Sequence, residues 1–185
     1  MSAQNPQSET RWSARQLATM ALLAALSAAL SFIPIPIFIP AASFGITYDP
    51  ANIPAIIGGL AFGPGAGVLI GIVGQTVHGI SAGDPVGAFM NIIAVTGFVI
   101  PSALIYRKKK TTARLTVGLI VGCLTSTAVM MPANLLVAPL YYSVTVDMVL
   151  GWIIPMLLPM NLMKAVLNAV LSFLSYKSLY RLIER

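Results

Sequence analysis

Residues 53–80 read IPAIIGGLAFGPGAGVLIGIVGQTVHGI, an uncharged run with Gly63-Pro64-Gly65 near its middle. As one straight helix it would exceed the roughly 20 apolar residues that cross a bilayer. The Gly-Pro-Gly break opposes that reading, because proline has no N–H to continue the helical ladder and glycine favours a turn. Two short spans, 53–62 and 66–80, are therefore expected. This choice fixes the number of crossings, and with it the side of the membrane on which every later loop lies.

Working outward, the absence of charge recurs along most of the chain. No charged residue lies between Arg15 and Asp49, and the Ala/Leu-rich stretch 16–32 reads as a span that stops before Pro34, Pro36 and Pro40. Following Arg11 and Arg15, it could instead be the apolar region of a signal peptide, but the five apolar segments after it favour a retained helix. Further spans are expected at 86–106, 115–137 and 149–180, the last interrupted near Pro155 and Pro159. The fold class that follows is an all-α integral membrane protein. It has one membrane domain, 1–185, with a cytoplasmic tail at 1–14 and six transmembrane helices.

Charge supports the even count. With both termini cytoplasmic, the inner segments carry Arg11, Arg15, Arg107, Lys108, Lys109, Lys110, Arg114, Lys177, Arg181 and Arg185, ten of the eleven Lys and Arg residues. The outer loops hold Asp49, Asp84 and Asp147 and no cation, as the positive-inside rule requires. The net charge of +6 thus sets topology and faces anionic membrane lipid rather than nucleic acid. Composition agrees: 57% hydrophobic residues, 9% charged residues and a mean hydropathy of +0.87 exclude a water-soluble globule.

The eleventh cation, Lys164, is the informative one. It lies thirteen residues before Lys177, about 20 Å along a helix, and is seventeen residues from Asp147 on the other side. Neither interface is within easy reach, so Lys164 is a candidate functional residue. A lysine satisfied by carbonyls freed at Pro159 is the structural alternative. Asn161 and Asn168 stand at i−3 and i+4 and share its face, which favours a polar stripe. Asn134, Asn91, Gln75 and His78 could face the same interior.

Other chemistry is poorly supported. The carboxylates Glu9, Asp49, Asp84, Asp147 and Glu184 all fall in tails or loops, so no acid–base pair is evident and an enzyme is not expected. His78 has no companions spaced for a metal, the glycines around Gly63 lack the Gly-Lys-Ser/Thr of a phosphate loop, and no cofactor is expected. Cys123, among Ile120, Val121 and Leu124, reads as a buried structural thiol. Ala21, Ala25 and Ala29 repeat every four residues, a smooth face for close helix approach, either inside the fold or to a partner.

Three motifs carry a resemblance over nearly the whole chain: Tyr48-Asp49-Pro50-Ala51-Asn52-Ile53-Pro54 through Gly58-Gly59, Phe62-Gly63-Pro64 and Gly67; Phe98-Val99-Ile100-Pro101 through Arg107-Lys108; and Pro159-Met160-Asn161-Leu162-Met163-Lys164. The chain resembles the substrate-binding S component of energy-coupling factor (ECF) vitamin transporters, in particular the riboflavin-specific branch. The resemblance implies a plasma-membrane protein of a prokaryote, with an outward-facing pocket in which Asn134, Asn161 and Lys164 hydrogen-bond the vitamin. Asn91, Gln75, Tyr48 and Asp49 are the further candidates for that pocket. It also implies that the face of Ala21, Ala25 and Ala29 docks on a transmembrane coupling subunit, which two ATPase subunits drive. Three positions depart from the pattern: Gly74-Gln75 replaces an expected Lys-Asn, and Ala88 replaces a glutamate three residues before Asn91. They leave the family reading intact and bear on the vitamin, with pantothenate as the alternative to riboflavin. A self-sufficient facilitator or channel is the competing class.

Overall fold

The computed structural model describes residues 12–33, 35–37, 47–48 and 50–183, with side chains to residue 178. Among the described residues seven α-helices follow one another: α1 (Ala14–Leu30), α2 (Asn52–Phe62), α3 (Pro64–Ala82), α4 (Pro85–Lys108), α5 (Thr112–Tyr141), α6 (Val146–Trp152) and α7 (Leu158–Ile183). A π-helical turn, Ile153–Leu157, joins α6 to α7. Among the described residues the extended pairing is a single antiparallel bridge, Ile35 to Tyr48, which ties together the two ends of the segment after α1. Residues 38–46 lie outside the described residues, as do Pro34 and Asp49.

The break within 53–80 falls at Gly63. Its φ of 101° is reserved for glycine, and Pro64 opens α3 at the first helical position, where its missing N–H costs nothing. The halves are unequal. The second half extends over 19 residues, about 28 Å, longer than the interval 66–80, while the first has 11 residues, about 16 Å. α2 is buried continuously from Pro54 to Leu60 and packs against α1, α3, α4 and α7. A helix apolar on every side belongs in an interior, and here the other helices surround it.

The α2/α3 pair is held at backbone contact. A Cβ added at Gly67 would meet the Ala55 carbonyl oxygen and the Gly59 Cα at 2.6 Å, whereas one at Gly65 meets nothing within 4 Å. Gly67→Ala should therefore destabilise the protein by about 2 kcal/mol through forced separation of two backbones. Gly65→Ala should leave stability unchanged or slightly raised. The two melting transitions in detergent, read side by side, check this.

Around α2 the remaining helices pack in sequence, α1 on α3, α3 on α4, α4 on α5 and α5 on α7. Polar ties cross between them where the ladder has gaps. Pro101 deprives the Gly97 carbonyl of its intrahelical donor, and the Thr125 hydroxyl of α5 donates to that oxygen at 2.7 Å. The Ser126 hydroxyl donates to the Ala94 carbonyl one turn away, at 2.8 Å. On α1, Met20, Leu23, Ala24 and Ser27 face inward, and the Ser27 hydroxyl donates to the Ala51 carbonyl at 2.7 Å. Cys123 is buried in the same core.

The outer surface is apolar. Leu22, Ile80, Leu136, Leu140 and Ile154 are each at least 69% exposed, which suits side chains facing hydrocarbon rather than water. α3, α4, α5 and the stretch Val146–Ser178 are each long and apolar enough to cross a membrane, and α1 and α2 are shorter apolar helices.

Candidate functional site

Pro155 and Pro159 stand four residues apart, and an unbroken α-helix would have to lose two hydrogen bonds and absorb two ring clashes there. The chain instead widens into the π turn Ile153–Leu157 before resuming as α7. From the end of that turn onward, Met156, Leu157, Met160, Asn161 and Lys164 line a cavity of about 850 Å³. This volume suits a small organic ligand. The rest of the wall comes from α2, α3, α4, α5 and α6, and from Phe32 and Thr47 at the ends of the segment after α1.

Most of the lining is apolar, with a few amide and ammonium groups placed within it. Asn134 of α5 and Asn161 of α7 each donate one amide N–H to the carbonyl four residues earlier, that of Met130 and of Leu157 respectively, both at 2.7 Å. Those bonds fix the planes of the two amides, whose oxygen and second N–H make up their remaining capacity. Lys164, half-buried one turn beyond Asn161, adds an ammonium group to the same wall. Asn168, a further turn along, lines the cavity and accepts a hydrogen bond from the Tyr48 hydroxyl at 3.1 Å.

A second polar group of the same cavity comes from α2, α3 and α4. Asn91 donates to the Gln75 Oε1 at 3.3 Å, and Gln75 donates through Nε2 to the Asn52 Oδ1 at 3.2 Å. Asn52 and Asn91 line the cavity, while Gln75 is fully buried behind them. At the rim, Asp84 caps α4 by accepting from the Gly87 N–H at 2.8 Å, and His78 meets Phe32 edge to face with ring centroids 5.5 Å apart. Partial burial, and after it the Asp84 carboxylate, push the Tyr142 phenol above its ordinary range.

The residues singled out from sequence thus fall into four groups. Asn134, Asn161, Lys164 and Asn91 line the cavity. Gln75 and Tyr48 stand behind the wall and hold lining residues, so their place is one layer deeper than expected. Asp49 lies outside the described residues. Ala21, Ala25 and Ala29 lie on the exposed face of α1, away from the cavity. Asn52 and Ser126, which sequence reading passed over, also line it. The signal for Asn52 was available, since it is an amide opening an otherwise apolar helix and it sits within the motif Tyr48–Pro54. Ser126 gave none, because a serine within a small-residue helix face reads as packing.

These groups can recognise a neutral, flat ligand with hydrogen-bonding edges. Asp84 is the carboxylate lining the cavity among the described residues, and it is engaged as a helix cap.

Comparison with known proteins places this arrangement in context. Residues 15–176 match the family described as ECF transporter, substrate-specific component. Riboflavin transporter RibU of Staphylococcus aureus (strain TCH60) is 30% identical over 179 residues, spanning 92% of this chain and 93% of the relative. Riboflavin transporter FmnP of Bacillus subtilis (strain 168) is 30% identical over 132 residues, 69% of this chain and 68% of its own. The solved structure of the S component of a bacterial ECF transporter superposes with a TM-score of 0.76 at 30% identity, covering 92% of this chain and 98% of that one.

Proposed function

The chain belongs to the substrate-specific components of ECF transporters, and from that premise we propose that its cavity captures riboflavin from outside the cell for delivery to an ATP-driven import module. It is a multi-pass protein of a prokaryotic plasma membrane. The observation that carries the reading is the cavity of about 850 Å³, whose mostly apolar lining carries two groups of asparagines and the Lys164 ammonium. Riboflavin has a flat, largely apolar ring system edged with carbonyl and imide groups and a hydroxylated chain. Apolar walls with a few amides and one ammonium complement it, since such sites owe orientation to a small number of placed polar groups. Two relatives named as riboflavin transporters support the choice of vitamin.

In this reading the chain crosses the membrane six times with both termini cytoplasmic, and the cavity opens outward. Asn134, Asn161 and Lys164 hold one edge of the vitamin, with Asn52 and Asn91 opposite. The exposed α1 face, Ala21, Ala25 and Ala29 flanked by Leu22 and Leu26, docks on the transmembrane coupling subunit, and two ATPase subunits supply the energy. The chain itself binds and releases.

Purified in detergent, the chain should quench riboflavin fluorescence saturably, at about one vitamin per chain and with nanomolar affinity. Pantothenate should not compete. Saturable pantothenate binding with no response to riboflavin would reassign the vitamin to the alternative suggested by Gln75 and Ala88.

A further inference from the structure

A second cavity, of about 170 Å³, lies where α4 ends, α5 begins and α7 nears its C-terminus, at the far end of these helices from the first. Tyr106 and Tyr176, 4% and 1% exposed, cross edge to face within its wall with ring centroids 5.5 Å apart, and Leu115 and Phe173 stand beside them. Lys110, Thr112 and Lys177 complete the lining, and both lysines are exposed. The first turn of α5 adds donors. The Arg114 N–H is taken by the Thr111 hydroxyl at 3.3 Å and the Leu115 N–H by the Thr111 carbonyl at 2.9 Å, so the N–H groups of Thr112 and Ala113 are those the cap leaves over. Two ammonium groups, a hydroxyl and a helix N-terminus around one small cavity form a receptor for an oxyanion. Among the described residues no carboxylate lines it.

We propose that this cavity binds the phosphate of an anionic glycerophospholipid of the cytoplasmic leaflet. The inference rests on the six-span topology proposed above, which puts these ends of α4, α5 and α7 at the cytoplasmic interface, where basic pockets between helices take up lipid headgroups. Tyrosine rings suit the same level, since their apolar bodies and polar tips match the boundary between hydrocarbon and water. With a fifth of the volume of the first cavity, the second has room for a headgroup phosphate rather than a vitamin. A lipid fits better than a free ion because Leu104, Val117 and Leu174, 47%, 51% and 58% exposed, lie within two turns on the same three helices and give acyl chains an apolar surface. Lys108 and Lys109, the neighbouring cations, are exposed and line no part of the cavity. They attract anionic lipid as a diffuse field, whereas Lys110 and Lys177 hold one molecule in place.

The chain purified in detergent is titrated with phosphatidylglycerol and the bound lipid counted by native mass spectrometry, with phosphatidylcholine and, at constant ionic strength, inorganic phosphate as comparisons. One phosphatidylglycerol per chain should bind saturably. Lys110→Gln combined with Lys177→Gln should weaken that binding about tenfold, as loss of charge-assisted hydrogen bonds does. Lys108→Gln combined with Lys109→Gln removes the same charge and should change it less than about twofold. Lys177→Gln alone carries the test if the first pair folds poorly. Riboflavin affinity should be the same in every variant. Equal losses in the two pairs would overturn the site in favour of a diffuse basic surface. Displacement of the lipid by inorganic phosphate would overturn the choice of a lipid, as would equal binding of phosphatidylcholine. Failure of the unsubstituted chain to bind riboflavin while it still binds phosphatidylglycerol would overturn the vitamin reading and leave this site standing.

Discussion

Lys164→Ala should abolish high-affinity riboflavin binding, weakening it by roughly two orders of magnitude, while the protein should still elute as a single folded species. The size follows from the setting. A hydrogen bond from a charged donor contributes about 1.5–3 kcal/mol, towards the upper end where water is scarce. Lys164 is half-buried in a cavity wall whose other lining is mostly apolar, so no neighbouring side chain of the described wall can replace its ammonium. Asn161, one turn away, is already committed through one N–H to the Leu157 carbonyl. Lys164→Met, which keeps the length without the charge, should show the same loss. A variant that binds as tightly as the original chain would place the vitamin elsewhere.

The second large effect concerns the exposed face of α1. Ala25→Trp should eliminate uptake by cells that carry the full transporter while riboflavin affinity of the purified chain stays unchanged. Ala25 is exposed on α1, and its neighbours on that face, Leu22 and Leu26, are 70% and 47% exposed. The inward face of the same helix carries Met20, Leu23, Ala24 and Ser27, so an indole at position 25 enters no core. What it prevents is close approach of another helix to a surface made of methyl groups. Parallel loss of binding and uptake would remove the docking assignment.

The architecture was legible in the sequence to the extent that length and charge govern it. Gly63-Pro64 announces a break because both residues act locally, and the structure turns there. The exact helix ends were not legible: α5 continues to Tyr141 through Pro132 and Pro139, and α7 begins beyond a π turn that no periodicity reveals. Both depend on how neighbouring helices compensate for missing N–H groups, a tertiary matter. The same division holds at the site. Lys164 stands out because a charge at membrane depth is anomalous by itself, and Asn161 and Asn168 follow from helical spacing. Gln75 and Tyr48 were noticed as polar residues, but whether such a residue faces the cavity or supports another that does is decided by a rotation of the helix that sequence leaves open. Asn52 was missed for the converse reason, since an amide at the first turn of a helix reads as an end rather than a wall.

The burial of α2 on every side has a consequence for how the protein is made. A segment of about 16 Å cannot cover a hydrocarbon core of about 30 Å, and leaving the translocation machinery alone would expose its unpaired terminal backbone groups to lipid. α2 therefore does not qualify as an independent unit of membrane integration. Joined to α3 by the single residue Gly63 and pressed against it at Gly67, it has to be inserted as one arm of a hairpin, with α3 as the arm that anchors it. The helix at the centre of the finished fold is then a latecomer to the bilayer, waiting on synthesis of the residues that follow it.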